Sequence, residues 1–413
     1  MKHQHGSVRW RAGILVFVFV FAAAAGVGCG TNGRAPAPAR QPVVVPALDE
    51  KVGWYRMPAG DTALLTYSAT GGLRVFSLGD SLYWATLLPG DAGELRPPGA
   101  DGGVVEWRRA NGGVTGFVWS NAAGERQEAV RVADHAYRVE DVAVTVDGTR
   151  LSGSLFLPAV TDGRVPAAVM IHGSGASDRD NAWYMMIADA LVRRGIAVLL
   201  PDKRGSGRSG GDWFTTGLSG FARDVAAWQD LVRTHPAIEP ARVGLLGLSQ
   251  GGHIAPLTAG TSPAAFVINI SGAAVPLNEQ IVHEVAQDMK RDRIPGFLDP
   301  VVRRISLATI RRRRPEWWAT NGPIDPVEHW RALDVPALVV YGRDDESDNV
   351  PVRRSVERLH SLGMDNLDVW VFDGSGHALW EPESTARIQA DGRRRVRPDL
   401  LVRLADWIHS ATT

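Results

Sequence analysis

A serine at the crest of a sharp turn, a histidine that can take its proton and a carboxylate that orients the histidine make up an acyl-transfer centre. This sequence offers candidates for all three, in the chain order Ser…Asp…His. The serine is Ser249 in Gly247-Leu248-Ser249-Gln250-Gly251, a pattern whose small flanks let a strand turn directly into a helix and lift the hydroxyl above a sheet. The pattern alone is weak, because 45 glycines supply chance matches and Gly207-Arg208-Ser209-Gly210-Gly211 is a second one. Context separates them. Ser249 directly follows the apolar run 243–248 and precedes Gly252-His253-Ile254-Ala255, whereas Ser209 lies in a polar loop well after its strand ends.

The base expected for Ser249 is His377, 128 residues further on in Gly374-Ser375-Gly376-His377, just after the last expected strand. The acid belongs on a loop after an intervening strand. The apolar run 337–341 is that strand and Gly342-Arg343-Asp344-Asp345 that loop; Asp345 is preferred, with Asp344 and Asp348 left open. Attack on a carbonyl creates an oxyanion that backbone N–H groups must meet. The expected donors are the amide of Gln250 and that of Ser174, in His172-Gly173-Ser174-Gly175 after the run 167–171, with Gly175 as the alternative to Ser174.

These residues require a scaffold, and the chain's texture supplies one. From 137 onward a hairpin around Asp147-Gly148 (strands 139–146 and 151–157) leads into alternating apolar strands and helical stretches. Strands are expected at 167–171, 196–200, 243–248, 266–270, 337–341 and 368–372, with helices at 183–194 and 219–234. Such alternation implies a doubly wound, mainly parallel sheet. The less regular segment 276–331, with Arg311–Arg314 and Trp317-Trp318, reads as a cap inserted over it. Ahead of it, short runs at 63–67, 73–78, 82–87, 104–108 and 114–119 separated by Gly-rich turns predict a small antiparallel all-β module, a barrel or a sandwich. The domains are thus expected at 47–135 and 136–413.

The five ordered motifs resemble the α/β-hydrolase fold: His172-Gly173-Ser174-Gly175 with Asp178-Arg179-Asp180, Asp202-Lys203-Arg204-Gly205, Gly247–Gly251, Gly342–Asp345 and Gly376-His377. More narrowly, they are similar to bacterial esterases of the dienelactone hydrolase and serine aminopeptidase-like groups. The resemblance spans residues 137–409 and implies hydrolysis of carboxylic esters through an acyl-enzyme, without a cofactor. Peptide cleavage or acyl transfer would use the same three side chains, and a non-catalytic exported binding protein on this scaffold is the remaining alternative.

The N-terminus carries an address. Lys2, Arg9 and Arg11 precede an apolar run from Ile14 to Ala25 and then Gly26-Val27-Gly28-Cys29, the plan of a secretory signal peptide at 1–28. A cysteine at the cleavage point resembles the lipobox of bacterial lipoproteins, implying an exported, lipid-anchored chain held at the membrane through Cys29. Residues 29–46, rich in Gly, Ala and Pro, read as a tether.

Composition narrows the partners. Forty-five basic residues balance 45 acidic ones, which argues against nucleic-acid binding by general electrostatic attraction. One cysteine excludes an internal disulfide and a thiolate cluster, and no histidine–glutamate pair has zinc-site spacing. Gly205-Ser206-Gly207-Arg208-Ser209-Gly210 matches a dinucleotide fingerprint but runs into Gly211-Asp212-Trp213 rather than a helix, so no nucleotide is expected. The expected ligand is a small-molecule ester. Trp183, Trp213, Trp317, Trp318 and Trp380 are candidates either to line an acyl pocket or to fill the core.

Overall fold

The computed structural model describes residues 50–413 apart from 52, 59–61, 68–72, 78–81, 90–94, 97–103, 121–123, 125, 133–136, 160–162, 180 and 382–395. The expected signal peptide, Cys29 and the tether lie outside the described residues.

Eight strands come first: β1 (Gly53–Arg56), β2 (Thr62–Tyr67), β3 (Leu73–Ser77), β4 (Leu82–Pro89), β5 (Leu95–Arg96), β6 (Val104–Ala110), β7 (Gly113–Ser120) and β8 (Arg126–Arg131). They pair antiparallel in sequence order, and β1 closes on β8 to complete a barrel. Alternation along the strands decides what faces where. Tyr55 and Leu65 fill the interior beside Phe117, while their neighbours Trp54 and Leu64 point outward and pack in a cluster with the second sheet. Trp54 meets Tyr137 edge-on at a centroid distance of 4.7 Å. Strands β1, β5 and β8 have no strand-like run in the sequence; β8, RQEAVR, buries only Ala129 and carries Arg126, Glu128 and Arg131.

The second sheet contains β9 (Tyr137–Val146), β10 (Thr149–Pro158), β11 (Val165–Ile171), β12 (Ala197–Pro201), β13 (Ile238–Leu248), β14 (Val267–Ile270), β15 (Ala337–Gly342) and β16 (Leu367–Phe372). Their order is β16-β15-β14-β13-β11-β12-β10-β9, and only β10 runs against its neighbours. The turn from β9 to β10 has positive φ at both Asp147 (49°) and Gly148 (71°), the backbone that matches strand twist in a two-residue hairpin. Strands β11, β12 and β15 are buried throughout, as expected of parallel strands covered on both faces. Strand β13 begins at Ile238, five residues before the expected start, because Glu239-Pro240-Ala241-Arg242 breaks the apolar pattern while Ile238 still pairs with Val165.

Helices cover both faces. On one side, α1 (Ala182–Val192) and the C-terminal α9 (Pro398–Ala411) pack on Ala168 and Met170. On the other, α2 (Leu218–Arg233), α3 (Gly251–Ala259) and α8 (Val352–His360) pack on Ala167, Val169 and Ile171. Helix α2 buries Leu218, Phe221, Val225, Trp228 and Val232, a stripe at helical spacing. The segment expected as a cap folds into α4 (Leu277–Arg291), α5 (Asp299–Arg313), α6 (Pro315–Asn321) and α7 (Pro326–Arg331). Among the described residues, no helix is long and apolar enough to cross a membrane.

Candidate active site

Ser249 stands between β13 and α3 with φ of +55°, a left-handed backbone that a serine adopts only when its surroundings force it. Its N–H donates to Ile270 O at 2.8 Å, tying the turn to β14. The flanking glycines are required by space. A Cβ on Gly247 would stand 2.1 Å from Gly251 O, and one on Gly251 would stand 2.2 Å from Ile171 O. The motif is therefore a close crossing of three backbone segments, which no chance match provides.

His377 follows β16, and its Nε2 lies 3.0 Å from Ser249 Oγ. Its Nδ1 lies 2.8 Å from Asp345 Oδ2. With Nδ1 donating to the carboxylate, Nε2 is left to accept from the serine hydroxyl. Asp345 sits in the short 3-10 turn after β15, fully buried, and its Oδ1 accepts from Asn349 N at 3.1 Å. Of the two alternatives, Asp344 is exposed and Asp348 pairs with Arg291 and Asn349. Burial alone would lower the His377 pKa; the charge and hydrogen bond of Asp345 outweigh it, and the net shift is upward from 6.5.

The loop expected to supply an oxyanion donor follows β11. A Cβ on Gly173 would lie 3.1 Å from Ser249 Cβ, so this backbone runs alongside the serine. Gly173 N–H donates to Tyr184 Oη at 2.7 Å, which commits that amide elsewhere. Ser174, the next residue, is exposed, and Gly175 has φ of +80°. Gln250 precedes the N-terminus of α3, where helix N–H groups and the helix dipole favour negative charge.

Three contributors were not foreseen from sequence. Tyr184 and Lys203 hold the Gly173 loop from two sides. Glu284, on cap helix α4, accepts from Gln280 Nε2 at 3.0 Å and has its pKa raised to about 7 by burial. Its charge adds to the upward shift of His377. No local sequence signal marks a cap glutamate. A general base must be neutral to act, so a reaction that uses His377 as base is expected to slow as pH drops through its pKa. Glu284→Gln removes a negative charge that favours imidazolium, and the acid limb of kcat/KM is expected to move to lower pH. A limb that stays in place or moves upward would refute the coupling.

The remaining motifs are structural. Ser209 is buried, donating from Oγ to Asp202 O at 2.7 Å and accepting from Ser152 N at 2.9 Å. The glycine run at 205–211 continues through turns rather than into a helix. Among the five tryptophans, Trp183 stands 6.3 Å from the His377 ring, while Trp317 donates its indole N–H to Thr216 O. Arg311, Arg312 and Arg313 are exposed on α5. Among the described residues, no group of three or more His, Cys, Asp or Glu is arranged to hold a metal ion.

Comparison with known proteins agrees with this architecture. The model of the alpha/beta hydrolase family matches residues 168–388. An uncharacterized protein of Mycobacterium tuberculosis is 32% identical over 292 residues, 68% of this chain and 89% of that protein. Esterase EstD of Thermotoga maritima is 26% identical over 286 residues, 65% of this chain and 66% of the esterase. Among solved structures, the Pyrococcus furiosus esterase Pf2001 aligns with a TM-score of 0.49 at 20% identity, covering 67% of this chain and 92% of that one.

Proposed function

Because this chain belongs to the alpha/beta hydrolase family, we propose that it is an exported serine hydrolase that cleaves carboxylic esters through an acyl-enzyme. The observation that carries the reading is the unbroken relay from buried Asp345 through His377 to a serine held at positive φ. His377 Nε2 takes the Ser249 proton while Oγ bonds to the ester carbonyl carbon, and the amides of Gln250 and Ser174 receive the oxyanion. Collapse of the intermediate breaks the bond to the leaving alkoxide, which takes the proton from His377. Water, deprotonated by His377, then attacks the acyl carbon; the bond to Ser249 Oγ breaks, Oγ takes the proton back from His377, and the acid leaves. Asp345 holds the imidazole in the productive tautomer. The basic, apolar and cysteine-ended N-terminus supports export and lipid anchoring at Cys29.

A fluorophosphonate probe tests the assignment. The native protein is expected to be labelled at Ser249 and to partition into detergent; Ser249→Ala abolishes the label, and Cys29→Ala shifts the labelled protein toward the aqueous phase. Parallel assays on short p-nitrophenyl esters and aminoacyl p-nitroanilides are expected to favour the esters. Labelling that survives Ser249→Ala rejects the nucleophile, and faster anilide cleavage makes the protein a peptidase. No labelling and no turnover across an ester panel would leave a binding protein.

A further inference from the structure

Lys203 has no step in the mechanism above, yet it is a buried lysine, 6% exposed, that reaches the segments flanking Ser249. Its Nζ donates to Gly173 O at 2.5 Å and to Gln250 Oε1 at 3.1 Å. These acceptors belong to the two segments whose amides are assigned to the oxyanion. We propose that Lys203 is the positioning residue of the oxyanion hole, locking its two halves together and aiming the Ser174 amide. The proposal rests on the assignment of Ser249 as nucleophile.

The geometry follows from the peptide plane. In a trans peptide, the carbonyl of Gly173 and the N–H of Ser174 point in opposite directions. Holding that carbonyl with Lys203 therefore turns the Ser174 N–H away from Lys203. Gly173's other polar group, its N–H, is held by Tyr184 Oη, so the residue cannot rotate without losing a hydrogen bond on one side or the other. A cationic donor on the carbonyl also polarises the peptide and makes its N–H a stronger donor.

Lys203 is itself anchored. Its N–H donates to Ser177 O at 3.1 Å, which binds it to the far end of the same loop. The preceding Asp202 is 2% exposed and takes two hydrogen bonds from the Arg179 guanidinium, at 3.1 and 3.0 Å. Nζ also lies 4.5 Å from the centre of the Phe221 ring, so an aromatic face on α2 supports the cation. A lysine placed in this way, with a carbonyl and an amide oxygen as acceptors, is arranged to set backbone direction.

The test compares the native protein with Lys203→Met, which keeps length and bulk but removes the donor. On a soluble p-nitrophenyl ester, kcat is expected to fall by roughly 10–100-fold with KM nearly unchanged, somewhat less than loss of a direct oxyanion donor. Affinity for a boronic acid that mimics the tetrahedral intermediate falls by the same factor. A kcat within threefold of native with unchanged boronate affinity overturns the proposal, as does a loss confined to KM. Should Lys203→Met fail to fold, Gln250→Leu decides. It cuts the other end of the bridge, and weaker boronate binding supports the proposal while native binding overturns it. Fluorophosphonate labelling of the native protein separates the two levels, since its absence removes the nucleophile assignment rather than the role of Lys203.

Discussion

Ser249→Ala and His377→Ala are each expected to lower kcat by about 10⁵–10⁶-fold, some 7–8 kcal/mol of transition-state stabilisation. The double variant is expected to be no worse than either single one. The reason is the 3.0 Å contact between His377 Nε2 and Ser249 Oγ. A base without its nucleophile has no proton to take, and a hydroxyl without its base remains a weak attacker. What survives is the rate supplied by binding and by the oxyanion donors alone. Single-turnover measurements with a p-nitrophenyl ester on all three variants decide the matter. Losses that multiply would mean the two side chains act independently, and the relay would have to be abandoned.

Gly251→Ala is expected to be strongly destabilising, because the added methyl meets backbone on the neighbouring strand. Its Cβ would stand 2.2 Å from Ile171 O, 2.9 Å from Ile171 C and 3.1 Å from His172 O. All three are backbone atoms of β11 and the loop that follows, which cannot turn aside as a flexible side chain does. Overpacking commonly costs about 1–3 kcal/mol, and a clash with backbone on this scale places the loss at about 3 kcal/mol or more. Displacing β11 also moves the Gly173 loop, so turnover should fall in the surviving folded fraction. Gly260→Ala serves as the control, because its nearest contact is 3.6 Å and its φ of −66° suits alanine. Urea unfolding should show a large shift for the first variant and almost none for the second. Equal midpoints would contradict the close-crossing account of the motif.

Why some of this was legible in the sequence and some was not follows from where the information resides. Ser249, Asp345 and His377 each follow an apolar-rich strand of the sheet, so a local pattern pointed to Ser249 and His377, and to the loop of Asp345 while leaving Asp344 and Asp348 open. The glycines of the turn were legible as types, although their reason, a crossing with β11, is a long-range fact. Lys203 stood in a motif noted only for its resemblance. Its acceptors lie 30 residues before it and 47 after it, and no periodicity links them. Glu284 lies on a helix that buries Leu277, Val285 and Met289, so from sequence its carboxylate reads as one of the polar positions of that helix, and its importance comes from what α4 covers. The barrel strands missed from sequence, β1, β5 and β8, are short or charged on the outward face, where water imposes no apolar requirement.

The closed ring of eight strands also constrains how the first module can recognise anything. Pairing of β1 with β8 consumes the backbone donors and acceptors that an open sheet would leave along its margin. Where Tyr55 and Arg56 pair with Arg131 and Val130, a visiting peptide therefore cannot lie as an added strand, one of the ways a β-module captures an extended chain. Recognition at that seam falls to its outer side chains, so its specificity there would be altered by point changes and hardly at all by lengthening a strand.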